Sequence, residues 1–162
     1  MFVVAQKRGK VMRKFLQVEK EFMEYEKERA VLPKRATVHS AGYDFVSPIE
    51  IEIKPHESQL IWTNVKAKFE EDEVLMLAVT SGMGKRGIML ANNVGIIDCD
   101  YYGNQFNDGN IGFRLYNFLD EPYVIKQGDK IGQGIFLKFL KVDDEEVVTQ
   151  KRKGGFGSTD KK

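Results

Sequence analysis

One feature limits most strongly how this 162-residue chain can fold. It is a series of short apolar runs, which are separated by residues that favour turns. In the clearest run Ile49, Ile51 and Ile53 alternate with Glu and Lys, which is the period of a strand with one buried face. Further runs occupy residues 60–62, 65–69, 74–79, 111–118 and 131–140. Proline, glycine and aspartate fall between the runs, and these residues favour turns. Many short strands of this kind predict an all-β barrel or sandwich.

The length predicts a single domain, with a barrel over residues 31–150. Residues 1–30 are interpreted either as an N-terminal extension or as a first strand followed by a charged loop. The strand would lie at about 15–18, although the residues after it also have the spacing of one or two helical turns. Residues 151–162 are rich in glycine and lysine, and we expect them to form a flexible C-terminal arm.

Charge and cysteine content exclude several classes of protein. The net charge of +1 gives no overall electrostatic reason to bind nucleic acid, so no direct nucleic-acid partner is expected. A single cysteine, Cys99, excludes a disulfide within the chain and fits a reducing environment. No apolar run approaches the roughly 20 residues of a membrane span, and the first residues lack the apolar core of a signal peptide. The sequence therefore predicts a cytoplasmic protein with no membrane partner.

Two segments, 74–79 and 88–97, are apolar on both faces. A strand at the surface of a small barrel cannot leave such a face in water without risk of association. Either the core is filled on both sides of these segments, or another subunit covers one face. The second interpretation is favoured, and an oligomer is expected.

The segment Asn92–Gly103, Asn-Asn-Val-Gly-Ile-Ile-Asp-Cys-Asp-Tyr-Tyr-Gly, carries the strongest chemical signal. It places Asp98 directly after an apolar run, with Asp100 two residues later and Tyr101 beside it. If the segment is extended, both carboxylates point to one side. An aspartate after a strand is most often a turn residue. Beside a second carboxylate and an aromatic ring, it can also act as a base toward water near a ring-containing substrate.

A second polar segment, Ser81-Gly82-Met83-Gly84, follows an apolar run. Its serine could be a nucleophile, an anion ligand or a helix N-cap. A nucleophile needs a base, and the only histidines, His39 and His56, lie in segments without such a pattern. Backbone N–H groups at a turn, followed by the basic residues Lys85 and Arg86, therefore favour phosphate binding.

The C-terminal segment Lys153–Thr159, Lys-Gly-Gly-Phe-Gly-Ser-Thr, combines backbone donors, hydroxyls and one aromatic ring, and Arg152 precedes it. Such a composition is common in a flexible end. Phe156 has little reason to be there unless it stacks on a base, which contributes roughly 1–3 kcal/mol. The segment therefore suits a nucleotide. No metal-ligand spacing and no Walker loop occur, so a metal ion is expected only as Mg²⁺ carried by a triphosphate.

Five segments in this order resemble the five motifs of the trimeric dUTP diphosphatases (dUTPases), over about Leu32 to Thr159. They are Ala41-Gly42-Tyr43-Asp44-Phe45, Ser81–Gly84, Asn92–Gly103, Gly128-Asp129-Lys130-Ile131-Gly132-Gln133, and Arg152 with Gly154–Thr159. Each segment alone is a weak signal, but five in register are specific. The resemblance implies a β-barrel of the jelly-roll (β-clip) type with at most one short helix. It also implies a homotrimer whose sites lie between subunits, with the arm of one subunit closing the site of another.

The resemblance further implies hydrolysis of dUTP to dUMP and pyrophosphate, which limits uracil in DNA and supplies dUMP for dTMP synthesis. Asp98 would orient and deprotonate the water that attacks the α-phosphorus. Tyr101 would stack on the deoxyribose and leave no room for a 2′-hydroxyl. Mg²⁺ would bind through the substrate phosphates and waters, without a direct protein ligand.

The remaining roles that the resemblance implies fall into three groups. Uracil would be contacted by Asn92 and by the backbone from Gly95 through Ile97 to Asp98, and Phe156 would stack over it. The phosphate contacts would come from Ser81, Gly82, Gln133, Arg152, Gly157 and Ser158. Supporting positions would be Asp44, Thr80, Lys85 and Asp100.

Three departures from the family pattern stand out. Thr80 occupies the position before the serine of the second motif where the family usually has arginine, and the segment after it looks one residue shorter. Lys85 or Arg86 would then have to supply the missing charge. Residues 105–110 look like an exposed insertion after the third motif.

Two other functions use the same fold. A dCTP deaminase would need a catalytic glutamate in the strand after the third motif, and residues 111–118 contain none. A non-catalytic or dual-role regulator would use the fold as a nucleotide-gated binding module, with residues 105–110 facing a protein partner. The presence of Asp98, Tyr101 and Phe156 favours the enzyme, with dUTP as its small-molecule partner.

Overall fold

A computed structural model describes residues 12–25 and 30–155 of the chain. The strands in these residues are β1 (Lys14–Gln17), β2 (Lys34–Arg35), β3 (Tyr43–Val46), β4 (Ile51–Ile53), β5 (Ser58–Trp62), β6 (Val65–Lys68), β7 (Glu73–Ala78), β8 (Ile88–Leu90), β9 (Gly95–Asp98), β10 (Gly112–Asn117), β11 (Tyr123–Ile125) and β12 (Lys130–Lys138). The helical elements within the same described residues are α1 (Ser81–Lys85) and two single turns of 3-10 helix, Lys20–Phe22 and Cys99–Tyr101. The prediction of an all-β chain with at most one short helix is confirmed. Among the described residues, no helix has the length and apolar character that crossing a membrane requires.

The strands pair in four antiparallel groups. The largest sheet has the order β2-β3-β12-β7-β9, and a second sheet has the order β5-β10-β8. Two further pairs are β1-β6 and β11-β4. The strand β9 therefore lies at the edge of the large sheet, while β10 lies at the centre of the second sheet. These positions matter because the candidate site lies where β9 and β10 approach each other.

The core lies between these two sheets. Alternate residues of β7 are buried, with Leu75 and Leu77 almost inaccessible and the side chains between them partly exposed. Phe45 on β3 and Phe113 on β10 are both buried, with ring centroids 5.2 Å apart, so one aromatic pair joins the two sheets. Close packing of this kind fixes the relative position of the strands that carry the site.

The apolar run 88–97 forms two strands rather than one. Asn93 has a φ of +62°, a left-handed conformation that asparagine tolerates better than most residues, and the chain turns there. The strand before the turn, β8, pairs with β10, and the strand after it, β9, pairs with β7. The turn therefore carries the chain from one sheet to the other at the rim of the candidate site.

A charged pair joins residue 13 to β7. Arg13 Nε donates to both carboxylate oxygens of Glu73, at 2.9 and 2.8 Å, and the Glu73 side chain is only 2% exposed. The hydrogen bond from Arg13 holds the pKa of Glu73 below its ordinary value, although burial opposes this shift. The charge on Glu73 therefore stabilises the folded chain.

Candidate active site

Asp98, Asp100 and Tyr101 lie where β9 ends and a 3-10 turn begins. The strand β9 pairs antiparallel with β7, and a Cβ added to Gly95 would lie 2.9 Å from Leu77 Cβ. The strand ends at Asp98 and the turn follows at once, so the segment is not extended through Asp100. The two carboxylates are instead linked by a cation to which both are hydrogen-bonded.

The shared partner is Arg152, whose guanidinium contacts both carboxylates. Its Nε donates to Asp100 Oδ1 at 2.6 Å, and its Nη2 donates to Asp98 Oδ2 at 2.5 Å. Its Nη1 donates to the carbonyl oxygen of Gly154 at 3.2 Å, which fixes the local course of the arm. The C-terminal arm thus brings a cation to two aspartates of its own chain.

Asp98, Tyr101 and Arg152 border a cavity of about 420 Å³ between the edge of the large sheet and the second sheet. The cavity is of the size that a nucleoside-sized ligand needs. Six residues singled out in the sequence line it: Asn92, Gly95, Ile97, Asp98, Tyr101 and Arg152.

Other residues that line the cavity were not identified from the sequence. They include Leu77, Leu90, Gly112 and Arg114. Arg114 is exposed on β10, between two buried residues, Phe113 and Leu115. Strict alternation along this strand is the signal that could have marked Arg114 as facing away from the core.

Tyr101 is held at its hydroxyl group. The hydroxyl donates to the carbonyl oxygen of Asn110 at 2.7 Å and accepts from Asn107 Nδ2 at 2.7 Å. Burial raises the pKa of the phenol, and the hydrogen bond from Asn107 lowers it by less. The side chain is therefore a neutral ring in a fixed position on the wall of the cavity.

Two glycines let the C-terminal arm approach aromatic rings. A Cβ on Gly154 would lie 2.6 Å from Phe106 Cδ2, and one on Gly155 would lie 2.5 Å from Tyr101 Cε2. Neither distance occurs between real atoms that are not bonded, so any larger residue would displace a ring or the arm. In this conformation the arm packs against Tyr101 through Gly155 and pairs with Asp98 through Arg152. Three predicted substrate-binding residues, Phe156, Gly157 and Ser158, lie outside the described residues.

Asn92 lies in the turn between β8 and β9, at the rim of the cavity. Its side chain is exposed, and its Nδ2 donates to the carbonyl oxygen of Val94 at 3.2 Å. The amide therefore stabilises the turn while its other polar groups remain accessible from the cavity side.

The second polar segment folds as α1 rather than as a turn. Thr80 is the N-cap, and its hydroxyl accepts from the backbone N–H of Met83 at 3.4 Å. Ser81 is the first helical residue. The residue that departs from the family pattern at position 80 thus has a local structural role.

A smaller cavity, of about 280 Å³, lies beside α1. Thr80 and Gly82 line it, together with the cationic side chains of Arg86 and Lys130. Lys85 is exposed and is not among the residues that line it. Of the two residues considered for the missing charge, Arg86 is therefore the one at the cavity.

Gln133 on β12 lies opposite Asp44 on β3. Gln133 Nε2 is 3.5 Å from the carbonyl oxygen of Val79, and Asp44 forms an ion pair with Lys130 at 2.7 Å. Neither Gln133 nor Asp44 lines the 420 Å³ cavity. In the described part of one chain, the predicted residues therefore fall into two groups, one around Asp98 and one around α1 and β12.

The expectation that residues 105–110 form an exposed insertion is wrong for half of the segment. Asp108 is 7% and Asn110 3% exposed, whereas Phe106 is 70% exposed. The polar side chains of the segment fold inward because they bond to the backbone and to the barrel. The second half of the segment is thus packed against the barrel, and the segment is not a free loop.

No three His, Cys, Asp or Glu side chains come together as a metal site within residues 12–25 and 30–155. Asp98 on the cavity wall and Asp100 beside it are both paired with Arg152. A divalent cation held by protein side chains alone would need more oxygen ligands than this pair provides.

Comparisons with known proteins agree with these features. A sequence model of the dUTPase family matches residues 28–160. The chain is 45% identical over 130 residues to the deoxyuridine 5′-triphosphate nucleotidohydrolase of Lactococcus lactis subsp. lactis (strain IL1403), which covers 79% of this chain and 87% of that protein. It is 36% identical over 137 residues to the protein of the same name from Clostridium novyi (strain NT), covering 82% and 92% of the two chains.

Solved structures are similar over most of the chain. The crystal structure of the dUTPase from Streptococcus mutans matches with a TM-score of 0.70 at 39% identity, over 80% of this chain and 98% of that chain. The dUTPase from phage phi11 of S. aureus matches with a TM-score of 0.67 at 21% identity, over 84% and 96% of the two chains, and this likeness concerns the fold alone. The jelly-roll architecture predicted from the five segments is confirmed.

Proposed function

The chain belongs to the dUTPase family, and from this premise we propose that it hydrolyses dUTP to dUMP and pyrophosphate. The observation that carries the proposal is the position of Asp98 at the end of β9, on the wall of the 420 Å³ cavity that Tyr101 also lines. Relatives that are 45% and 36% identical bear the name of this nucleotidohydrolase.

In the proposed reaction Asp98 is the general base. It accepts a proton from a water molecule while the water oxygen bonds to the α-phosphorus. The bond from that phosphorus to the oxygen bridging to the β-phosphate breaks, and pyrophosphate leaves in line with the attack. The Asp98 side chain is 50% exposed, so water reaches it once Arg152 has moved away.

The cavity selects the nucleoside by its shape and by its backbone groups. Asn92 and the backbone of Gly95 to Asp98 are proposed to bind the uracil edge and to exclude a 5-methyl group. Tyr101 offers its ring face to the deoxyribose. Because both hydrogen bonds of its hydroxyl are in use, the ring cannot swing aside for a 2′-hydroxyl.

The C-terminal arm and the α1 segment bind the phosphates. Arg152 leaves Asp98 and Asp100 and binds phosphate oxygens, which accept charge-assisted hydrogen bonds from a guanidinium. Phe156 stacks on uracil as the arm closes. Mg²⁺ enters as part of the substrate, bound to phosphate oxygens and water.

We also propose a homotrimer in which neighbouring subunits share each site. The segment that begins at Ser81 does not line the cavity that Asp98 lines, so another subunit has to bring its copy. Met89, Val94 and Ile96 are 41%, 40% and 59% exposed, which gives a neighbour apolar surface to cover. Light scattering is expected to give three times the chain mass of 18.6 kDa.

The decisive experiment is pyrophosphate release with Mg²⁺ from dUTP, dTTP, dCTP and UTP, measured side by side. We expect release from dUTP alone, because dTTP carries the 5-methyl group, UTP carries the 2′-hydroxyl, and dCTP presents a different base edge. Equal release from all four would contradict the proposed selectivity. No release from any of them, in a folded trimer, would contradict the enzyme and favour the nucleotide-gated binding module.

A further inference from the structure

The segment Gly103–Asn110 folds around two asparagine side chains. Asn104 Oδ1 accepts from the backbone N–H groups of Phe106 and Asn107, at 3.0 and 3.2 Å. Asn104 Nδ2 donates to the carbonyl oxygen of Tyr101 at 2.8 Å and to Asn107 Oδ1 at 2.7 Å. The first asparagine therefore folds the segment back onto Tyr101 and orients the second.

The orientation of the Asn107 amide is fixed by its own contacts. Its Oδ1 accepts from Asn104 Nδ2 and from the backbone N–H of Gly109, the latter at 3.2 Å. A rotated amide would place a donor against these two donors, so Nδ2 must face the other way. There it donates to the Tyr101 hydroxyl at 2.7 Å.

The segment is anchored to the barrel and cannot drift. Asp108 Oδ2 lies 2.6 Å from Lys66 Nζ, and both side chains are more than nine-tenths buried. Although burial by itself lowers the pKa of Lys66, the hydrogen bond and charge of Asp108 raise it overall, so Lys66 keeps its charge. Asn110 Oδ1 also accepts from the backbone N–H of Asn64 at 2.9 Å.

Gly109 brings the segment against the backbone of Tyr101. Its φ is +86°, and a Cβ there would lie 2.8 Å from the carbonyl oxygen of Tyr101. The backbone at Gly109 is therefore in direct contact with the backbone of Tyr101 and Tyr102, and only glycine fits there.

From this geometry we infer that Asn107 is a positioning residue, which acts through the Tyr101 hydroxyl to set the discrimination between deoxyribose and ribose. The inference rests on the proposed function, because it assigns the sugar to the face of Tyr101. The hydroxyl has two partners, Asn107 Nδ2 and the carbonyl oxygen of Asn110, which lie 3.4 Å from each other, so the three groups form one closed set of hydrogen bonds. Loss of Asn107 removes one of them and lets the ring tilt, which opens space for a 2′-hydroxyl.

The test is a double-mutant cycle of Asn107→Ala and Tyr101→Phe, with Gln105→Ala as the control. Gln105 lies in the same segment with an exposed side chain. The measured quantity is the ratio of kcat/KM for dUTP to kcat/KM for UTP. Asn107→Ala is expected to lower this ratio by roughly three- to tenfold, the size of effect that one neutral hydrogen bond has on an equilibrium.

Non-additivity separates positioning from general support of the fold. If Asn107 acts through the hydroxyl, Tyr101→Phe lowers the ratio by a similar factor and the double variant is no worse than either single variant. The inference would be overturned if Asn107→Ala had the same ratio as Gln105→Ala and the wild type. It would also be overturned if the losses of the two single variants multiplied in the double variant. Tyr101→Phe leaves the segment intact, so it gives the same answer should Asn107→Ala fail to fold. A Tyr101→Phe ratio equal to the wild-type ratio would itself refute the role of the hydroxyl.

Failure of the proposed function would be visible separately. If the wild-type protein releases no pyrophosphate from dUTP, the enzyme assignment fails. The same five proteins, the wild type, the two single variants, the double variant and Gln105→Ala, are then titrated with dUMP and UMP by calorimetry. A wild-type preference for dUMP that Asn107→Ala loses would support the positioning role, and equal preferences in wild type and variant would reject it.

Discussion

Arg152 Nη2 lies 2.5 Å from Asp98 Oδ2, so the C-terminal arm places a cation on the carboxylate that we propose as the general base. The same guanidinium holds Asp100 through Nε at 2.6 Å. A carboxylate oxygen in this contact is not available to take a proton from water, and the guanidinium is not available to phosphate. Turnover therefore requires the pair to separate, and the two residues can be tested independently.

Replacing Asp98 by Asn should remove the base while keeping the shape of the cavity. We expect kcat to fall by about 10²- to 10⁴-fold, the usual contribution of general base catalysis, with the Kd for nucleotide little changed. Steady-state kinetics and calorimetry measure the two quantities. Asp100→Asn is the matched control, because Asp100 shares Arg152 but is not the proposed base. Equal losses of kcat in the two variants would contradict the assignment.

Replacing Arg152 by Gln should weaken nucleotide binding more than it slows the chemical step. A hydrogen bond to a charged group contributes more than a neutral one, so KM for dUTP is expected to rise by roughly 10- to 100-fold. Lys153→Gln removes a charge from the neighbouring exposed residue and should leave KM near the wild-type value. A fall in kcat without a rise in KM would place Arg152 outside the phosphate contacts.

Replacing Gly155 by Ala should release the arm without unfolding the barrel. The added Cβ would lie 2.5 Å from Tyr101 Cε2, and that ring is held at its hydroxyl and cannot yield. Trypsin is expected to cleave faster at the basic residues 151–153, while the melting temperature stays the same. Gly84→Ala is the comparison, since no atom lies within 4 Å of a Cβ built there. Unchanged cleavage would mean that the arm does not rest on Tyr101 in solution.

The pair between Arg13 and Glu73 should make stability depend on pH in the acid range. The hydrogen bond from Arg13 holds the folded pKa of Glu73 below its ordinary value of 4.5. The unfolded chain therefore binds the proton more readily, and the stabilisation is present above about pH 4.5 and is lost as the pH falls through the folded pKa. Urea unfolding of the wild type and Arg13→Gln should differ at pH 7, and the difference should shrink as the pH falls below 4.5.

The control for this pH series is Lys34→Gln, which removes an exposed cation from β2. Its unfolding midpoint should follow the wild type across the series. If Arg13→Gln and Lys34→Gln shift the midpoint equally at every pH, the contribution of Arg13 is not specific to Glu73.

The residues that the sequence identified best are those that lie close together along the chain. Asp98, Tyr101 and Asn92 belong to one segment, and the family to which that segment pointed is confirmed. Arg114 and Gly112 were missed because they reach the cavity through the pairing of β10 with β5 and β8. Alternation along a strand shows which face is buried but not which strands are neighbours.

Local hydrogen bonding explains the other differences. The glycines at 82 and 84 argue against a helix, yet the Thr80 cap and a single turn are enough to form α1. Residues 105–110 are polar and were expected to be exposed. Asn104 and Asp108 instead bond to the segment's own backbone and to Lys66, which buries them at little cost. Composition alone does not distinguish a solvated polar loop from one that satisfies its own donors and acceptors.

Because Arg152 already forms ion pairs with two carboxylates, nucleotide binding does not simply add ion pairs at this residue. A solvated arginine without an anionic partner gains ion pairs when it binds a triphosphate. Its affinity for the triphosphate therefore falls as salt is added. Here the guanidinium already has two anionic partners. When a triphosphate binds, contacts with phosphates replace those with the carboxylates, and the number of ion pairs changes little. Binding at this residue is an ion exchange, and its dependence on ionic strength should be correspondingly shallow.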